Sequence, residues 1–127
     1  MILGESSLSM PVTFTPHVVP MARGMLVDAY ALFGQPVDAD AVAAVYARAY
    51  RGATFVRVLP ERRAPSVAAV VGTNDAEVRV DVSGNVVRAI CAIDNLGKGA
   101  AGQAVQNLNI MLGYPEECGF HARGVIA

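Results

Sequence analysis

Between Ala76 and Val82 the chain alternates Val78, Val80 and Val82 with Glu77, Arg79 and Asp81. This period-two pattern predicts a strand with one face on a core and the other in water. Ser83, Gly84 and Asn85 then supply a turn, and the more continuously apolar "VVRAICAID" predicts a buried partner strand, making a hairpin. Upstream, "VTFTPHVV" (Val12 to Val19) is β-branched and aromatic between Pro11 and Pro20, which predicts a strand between two stops. "MLVDAYALF" (Met25 to Phe33), "TFVRVLP" (Thr54 to Pro60) and "SVAAVVG" (Ser66 to Gly72) have the same character.

Two stretches change period. In "PVDADAVAAVYARAYRGA", Val42, Val45, Tyr46 and Ala49 share one face of a helix, Asp38 or Asp40 supplies the cap and Gly52 the stop. After Gly97-Lys98-Gly99, the residues Ala101, Ala104, Val105, Leu108, Met111 and Leu112 form a stripe, small first and larger later, which predicts a second helix with the amides Gln103, Gln106, Asn107 and Asn109 turned to solvent. The expected fold is α+β, a mostly antiparallel sheet with helices packed on one face.

Composition narrows the function. With 127 residues, 54% of them hydrophobic and 17% charged, the chain has the length of one domain and enough apolar content to bury a core. Ten basic and eleven acidic residues are dispersed, with no cationic run longer than Arg62-Arg63, so the clustered cations that bind nucleic acid are missing. No apolar segment reaches the roughly 18 to 20 residues of a membrane span, and "MILGESSLSMP" lacks the basic flank of a leader, which together predict a cytoplasmic protein. Cys91 lies in an apolar strand pattern and Cys118 in a polar tail; two free thiols are expected, with a disulfide as the alternative.

The most unusual stretch is "AIDNLGKGAAGQAVQNLNIMLGY" (Ala92 to Tyr114), where a strand breaks at Asp94-Asn95 and crosses a glycine hinge into the amide-rich helix. Two readings fit. Asp94 or Asn95 caps a helix whose amides are merely solvated; or the small residues admit a ligand to a helix start, where free N–H groups favour an anionic or polar neighbour. Gly97, Gly99 and Gly102 have the GxGxxG spacing, but without the βαβ unit of a dinucleotide fold this glycine turn is a weak motif.

Together with "FTPHVVPMARGM" and "FVRVLPE", in this order, that stretch resembles the C-terminal part of the N-acetyl-gamma-glutamyl-phosphate reductases of arginine biosynthesis and, more distantly, the aspartate-semialdehyde dehydrogenases, from about Val12 to Ala127. The resemblance implies that residues 1–127 form the substrate-binding and dimerisation domain of an NADP-dependent enzyme that reduces an acyl phosphate to an aldehyde through a cysteine thioester. It implies an N-terminal Rossmann domain absent from this chain, to which the C-terminal helix returns, and a homodimer or higher homo-oligomer. Asn95 matches the position that looks toward the nicotinamide carboxamide. Gly99, Ala100 and Gly102 match the adjacent small-residue helix start, and His17 and Arg23 fall where relatives contact substrate. Lys98 reads as solvated, Arg57 as facing solvent, and Glu61, Arg62 and Arg63 as a wet loop.

The departures are equally informative. The one GxGxxG spacing, Gly97 to Gly102, lies inside the family's C-terminal motif and not in an N-terminal Rossmann βαβ unit, and neither "ICAI" nor "EECGF" resembles the family's nucleophile segment, so no catalytic residue and no metal site is assigned. The chain alone is expected to be inactive. A non-catalytic, stand-alone dimerisation or binding module of the same fold is the alternative.

Overall fold

The computed structural model describes residues 12–120. Its elements are β1 (Met25–Leu32), α1 (Ala39–Ala49), β2 (Val56–Val58), α2 (Val67–Val70), β3 (Ala76–Ser83), β4 (Val86–Ile93) and α3 (Gly102–Leu112), the last preceded by a π-helical turn over Gly97–Ala101. The four strands lie in the order β1-β4-β3-β2; β4 is antiparallel to both β1 and β3, and β2 runs parallel to β3. The fold is therefore α+β on a mostly antiparallel sheet with a C-terminal helix, as the sequence predicts.

Register explains the chemistry of the two faces, because directly paired residues share a face. Ala76, Val78, Val80 and Val82 of β3 stand beside Ile93, Cys91, Ala89 and Val87 of β4, and these beside Met25, Val27, Ala29 and Ala31 of β1. That face is wholly apolar. The opposite face carries Asp28, Tyr30, Arg79, Asp81 and Arg88, where Arg88 bridges Asp28 at 3.0 Å and lies 5.7 Å from the centre of the Tyr30 ring. Arg79 likewise pairs with Asp81 at 2.6 Å.

Several expectations are corrected. Val12 to Val19 is exposed and has no regular structure: it has no neighbouring strand among the described residues, and Pro16 within it cannot donate to a ladder. The segment read as a strand at Ser66 to Gly72 contains the short helix α2, because parallel strands β2 and β3 need a crossover between them. Val70 of that helix is fully buried.

Glu77, expected in water, is also fully buried. The loop after β2 crosses its face of the sheet, and its carboxylate accepts from the Ser66 backbone N–H and Arg63 Nη2, both at 3.0 Å. Arg63 thus ties down a loop that composition alone marks as wet. Arg57 is half-exposed and bridges Asp75 at 3.1 Å.

Asp38 caps α1, accepting from Asp40 N at 2.9 Å, and positive φ at Gly52 follows the helix end. The second helix is inverted relative to expectation. Gly102, Gln106 and Asn109 are its buried residues, while Val105, Leu108, Met111 and Leu112 are 41%, 53%, 81% and 61% exposed. Both cysteines are free thiols, Cys91 half-buried and Cys118 exposed.

Candidate functional site

Three separated segments converge where β4 ends. Asp94, the first residue beyond the strand, is fully buried. Its Oδ1 accepts from Leu96 N at 2.8 Å and Gly97 N at 2.9 Å, and its Oδ2 from Gly72 N at 2.5 Å. Arg23 reaches the same carboxylate through Nε, at 2.8 Å from Oδ2 and 3.1 Å from Oδ1. The next residue, Asn95, accepts from Gly24 N at 2.7 Å. Two consecutive residues of one segment therefore clasp two consecutive residues of another. Gly24 is required there: its φ is +111°, and a Cβ would run into the Val67 side chain of α2.

Burial opposes ionisation of Asp94, but the hydrogen bonds from Gly97, Gly72, Arg23 and Leu96 outweigh it and hold its pKa down to about 2. The folded-state value lies below the unfolded value of 3.8, so the resulting stability is present above pH 3.8 and lost as pH falls toward 2. The loss is on the order of 2 kcal/mol. Urea titrations at pH 5.5 and 2.5 compared between the native chain and Asp94→Asn read this contribution; an equal acid loss in both would assign it elsewhere.

The start of α3 rests on a second polar cluster. Gln106 Oε1 accepts from Asn74 Nδ2 at 3.1 Å and from Lys98 Nζ at 2.6 Å, and Gln106 Nε2 donates to Glu116 at 2.6 Å. Asn109 Nδ2 donates to the carbonyls of Glu116 and Cys118 at 2.9 and 2.8 Å. The amides expected to face solvent at 106 and 109 are thus structural, and the returning tail satisfies them.

Lys98 is likewise not a solvated lysine: it lies 5.6 Å from the centre of the Phe55 ring, and burial lowers its pKa against the opposing charges of Glu116 and Asp75. Burial raises the pKa of the Cys91 thiol, with Lys98 pulling it back, which keeps this cysteine in the thiol form.

The sequence-predicted site residues divide. Asn95 and Arg23 belong to the clasp. Gly99 and Ala100 are exposed beside it, on a π-helical turn whose exposed residues carry nothing larger than a methyl group. Gly102 faces inward, where a Cβ would meet Asn74 Oδ1 and, at 2.8 Å, the Gly97 carbonyl. His17 is exposed in the irregular segment, with no hydrogen bond or ion pair to the clasp among the described residues.

Sequence reasoning missed Asp94 as the hub, Gly72 as one of its donors and Asn74 as the partner of Gln106; the glycine preceding Thr73-Asn74 was the available signal. A groove of about 220 Å³ between α1 and the strands β2 and β3 shares no residue with the clasp. Among the described residues, no cluster of His, Cys, Asp and Glu could hold a metal ion and no helix is long and apolar enough to cross a membrane.

Residues 3–95 match the model of the semialdehyde dehydrogenase dimerisation domain. The chain belongs to that family. Among curated relatives it is similar to the N-acetyl-gamma-glutamyl-phosphate reductases of Desulforamulus reducens (48% identical over 90% of this chain and 34% of the relative), Pelotomaculum thermopropionicum (46%, over 90% and 33%) and Salinispora arenicola (48%, over 96% and 35%). The chain spans about a third of the length of each of these relatives. Both the family and the relatives are those that the three sequence motifs indicate.

Proposed function

We propose that this chain acts as the substrate-facing and self-associating domain of a cytoplasmic, NADP-dependent oxidoreductase that converts N-acetyl-gamma-glutamyl phosphate to the corresponding semialdehyde in arginine biosynthesis. The observation that carries this reading is the inversion of α3. A helix that spends its buried face on Gln106 and Asn109 and turns Val105, Leu108, Met111 and Leu112 outward leaves apolar surface for another protein layer. That layer is the Rossmann domain, and residues 1–127 are the domain that faces it. β1 offers a further surface: it is an edge strand, exposed along its whole length, with Met25, Leu26, Val27, Tyr30 and Leu32 uncovered. A second copy of the chain, packed by its sheet, is the occupant we assign to it.

The clasp fits a nicotinamide. Asn95 spends its carbonyl oxygen on Gly24, and among the described residues its amide nitrogen makes no hydrogen bond, so it has a donor to offer a carboxamide oxygen. Gly99 and Ala100 give a flat ring room to approach beside it, and Gly102 supports the turn from beneath by letting Asn74 and Gly97 close against it. When bound, NADPH supplies the hydride. Arg23 supplies a cation for the substrate's carboxylate or phosphate, and exposed His17 is a second substrate contact. With Cys91 kept as a thiol and no residue matching the nucleophile segment, the chain by itself carries no turnover. A non-catalytic association module would share the surfaces but have no use for Asn95's spare donor.

That difference sets the experiment. In a full-length reductase containing this chain, Asn95→Ala should cost roughly 1 to 3 kcal/mol of cofactor binding, or about 5- to 150-fold in affinity or hydride-transfer efficiency. Unchanged affinity alongside a large drop in melting temperature would reduce Asn95 to a clasp for Gly24.

A further inference from the structure

Arg23 brings the positive charge to this surface, and Asp94 controls how it is presented. A guanidinium is a planar fork of five N–H donors, and gripping one edge leaves the other able to bind an oxyanion with two parallel hydrogen bonds. The structure shows Arg23 gripped at Nε, while among the described residues its two terminal nitrogens make no hydrogen bond or ion pair. The Arg23 side chain is 41% exposed and that of Asp94 is 0% exposed. The carboxylate is itself immobilised by N–H groups from Gly72, Leu96 and Gly97, on two different segments, and Asn95 fixes the backbone immediately after Arg23.

We propose that Asp94 is a positioning residue, which holds the Nε edge of Arg23 so that the terminal amino groups present a preformed fork to an oxyanion of the substrate. This rests on the reading of Arg23 as a substrate clamp. The oxyanion is a phosphoryl group or a carboxylate, both of which match the fork.

Inorganic phosphate and N-acetylglutamate, titrated separately into the 127-residue chain and followed by calorimetry and by the Arg23 side-chain NMR signals, test it. Arg23→Ala should weaken binding about tenfold or more, and Asp94→Asn about fivefold or more, as expected for loss of a charge-assisted contact and of its alignment. In the Arg23→Ala background, Asp94→Asn should cost no further affinity yet still lower the melting temperature, since the amide nitrogen that replaces Oδ2 cannot accept from Gly72 N in either background; a purely structural role would not give this split. Arg23→Lys keeps the charge but cannot be gripped at one edge and offer a fork at the other, so it too should lose affinity, and it reads the proposal even if Asp94→Asn fails to fold.

A full effect of Arg23→Ala with unchanged affinity in Asp94→Asn overturns the positioning role alone, as does native affinity in Arg23→Lys. Unchanged affinity in Arg23→Ala, or no binding of either probe to the native chain, removes the clamp and the positioning role together. Binding of phosphate alone supports the fork and assigns it to the phosphoryl end; binding of N-acetylglutamate alone supports it and assigns it to a carboxylate.

Discussion

Asp94→Ala is expected to lower the unfolding free energy by about 3–5 kcal/mol, because it removes a fully buried carboxylate that accepts from three backbone N–H groups, each costing about 1–3 kcal/mol when stranded. Alanine leaves the N–H groups of Gly72, Leu96 and Gly97 without their acceptor and Arg23 without its counter-ion. Each stranded donor carries a desolvation penalty of its own. Stability of a natural domain is itself only about 5–15 kcal/mol, so the variant should lose a large share of its stability. Guanidinium titration of the native and variant chains at pH 7 measures the difference; a loss below about 1 kcal/mol would mean that the donors find other partners without difficulty.

The second large effect is expected at Gly102. Alanine is ordinarily the better helix residue by about 1 kcal/mol, so a merely solvated helix start would gain from Gly102→Ala. Here the added methyl would collide with Asn74 Oδ1 and with the Gly97 carbonyl. Asn74 cannot easily retreat, since its Nδ2 is bonded to Gln106 and the residue is 6% exposed. Overpacking of this kind costs about 1–3 kcal/mol, which reverses the sign of the substitution and lowers the melting temperature by roughly 4 to 12 °C for a domain of this size. A rise in melting temperature would show that the turn has room to spare.

Elements dictated by local periodicity were legible in the sequence. The Val78/Val80/Val82 alternation, the Gly84-Asn85 turn and the Asp38 cap each depend on neighbours only a few residues away, and each is where the pattern puts it. What failed depended on distant partners. Val12 to Val19 has strand composition but no strand to join among the described residues. Ser66 to Gly72 also reads as a strand, yet the parallel pairing of Arg57 with Glu77 imposes a crossover there.

The amides of α3 misled because a helical wheel assigns the polar side to water. Gln106 and Asn109 have partners at Asn74, Glu116 and Cys118, so polar groups fill the inside and the apolar stripe is left on the outside. Of the clasp, Asn95 and Arg23 were visible as residue types near a strand end. Asp94 was visible only as a candidate cap, in keeping with its bonds to Leu96 N and Gly97 N, and not as a hub, because that role comes from Gly72 and Arg23, 22 and 71 positions away.

The central claim is that the apolar surface left open along β1 and on the sheet is an association surface used by a second copy of this chain. Sedimentation equilibrium of the 127-residue protein across the micromolar range tests it most directly. The account predicts a homodimer, with Met25→Lys or Val27→Lys, both on the apolar face and partly exposed, shifting the equilibrium toward monomer while leaving the melting of isolated monomers little changed. A clean monomer at every concentration would contradict it.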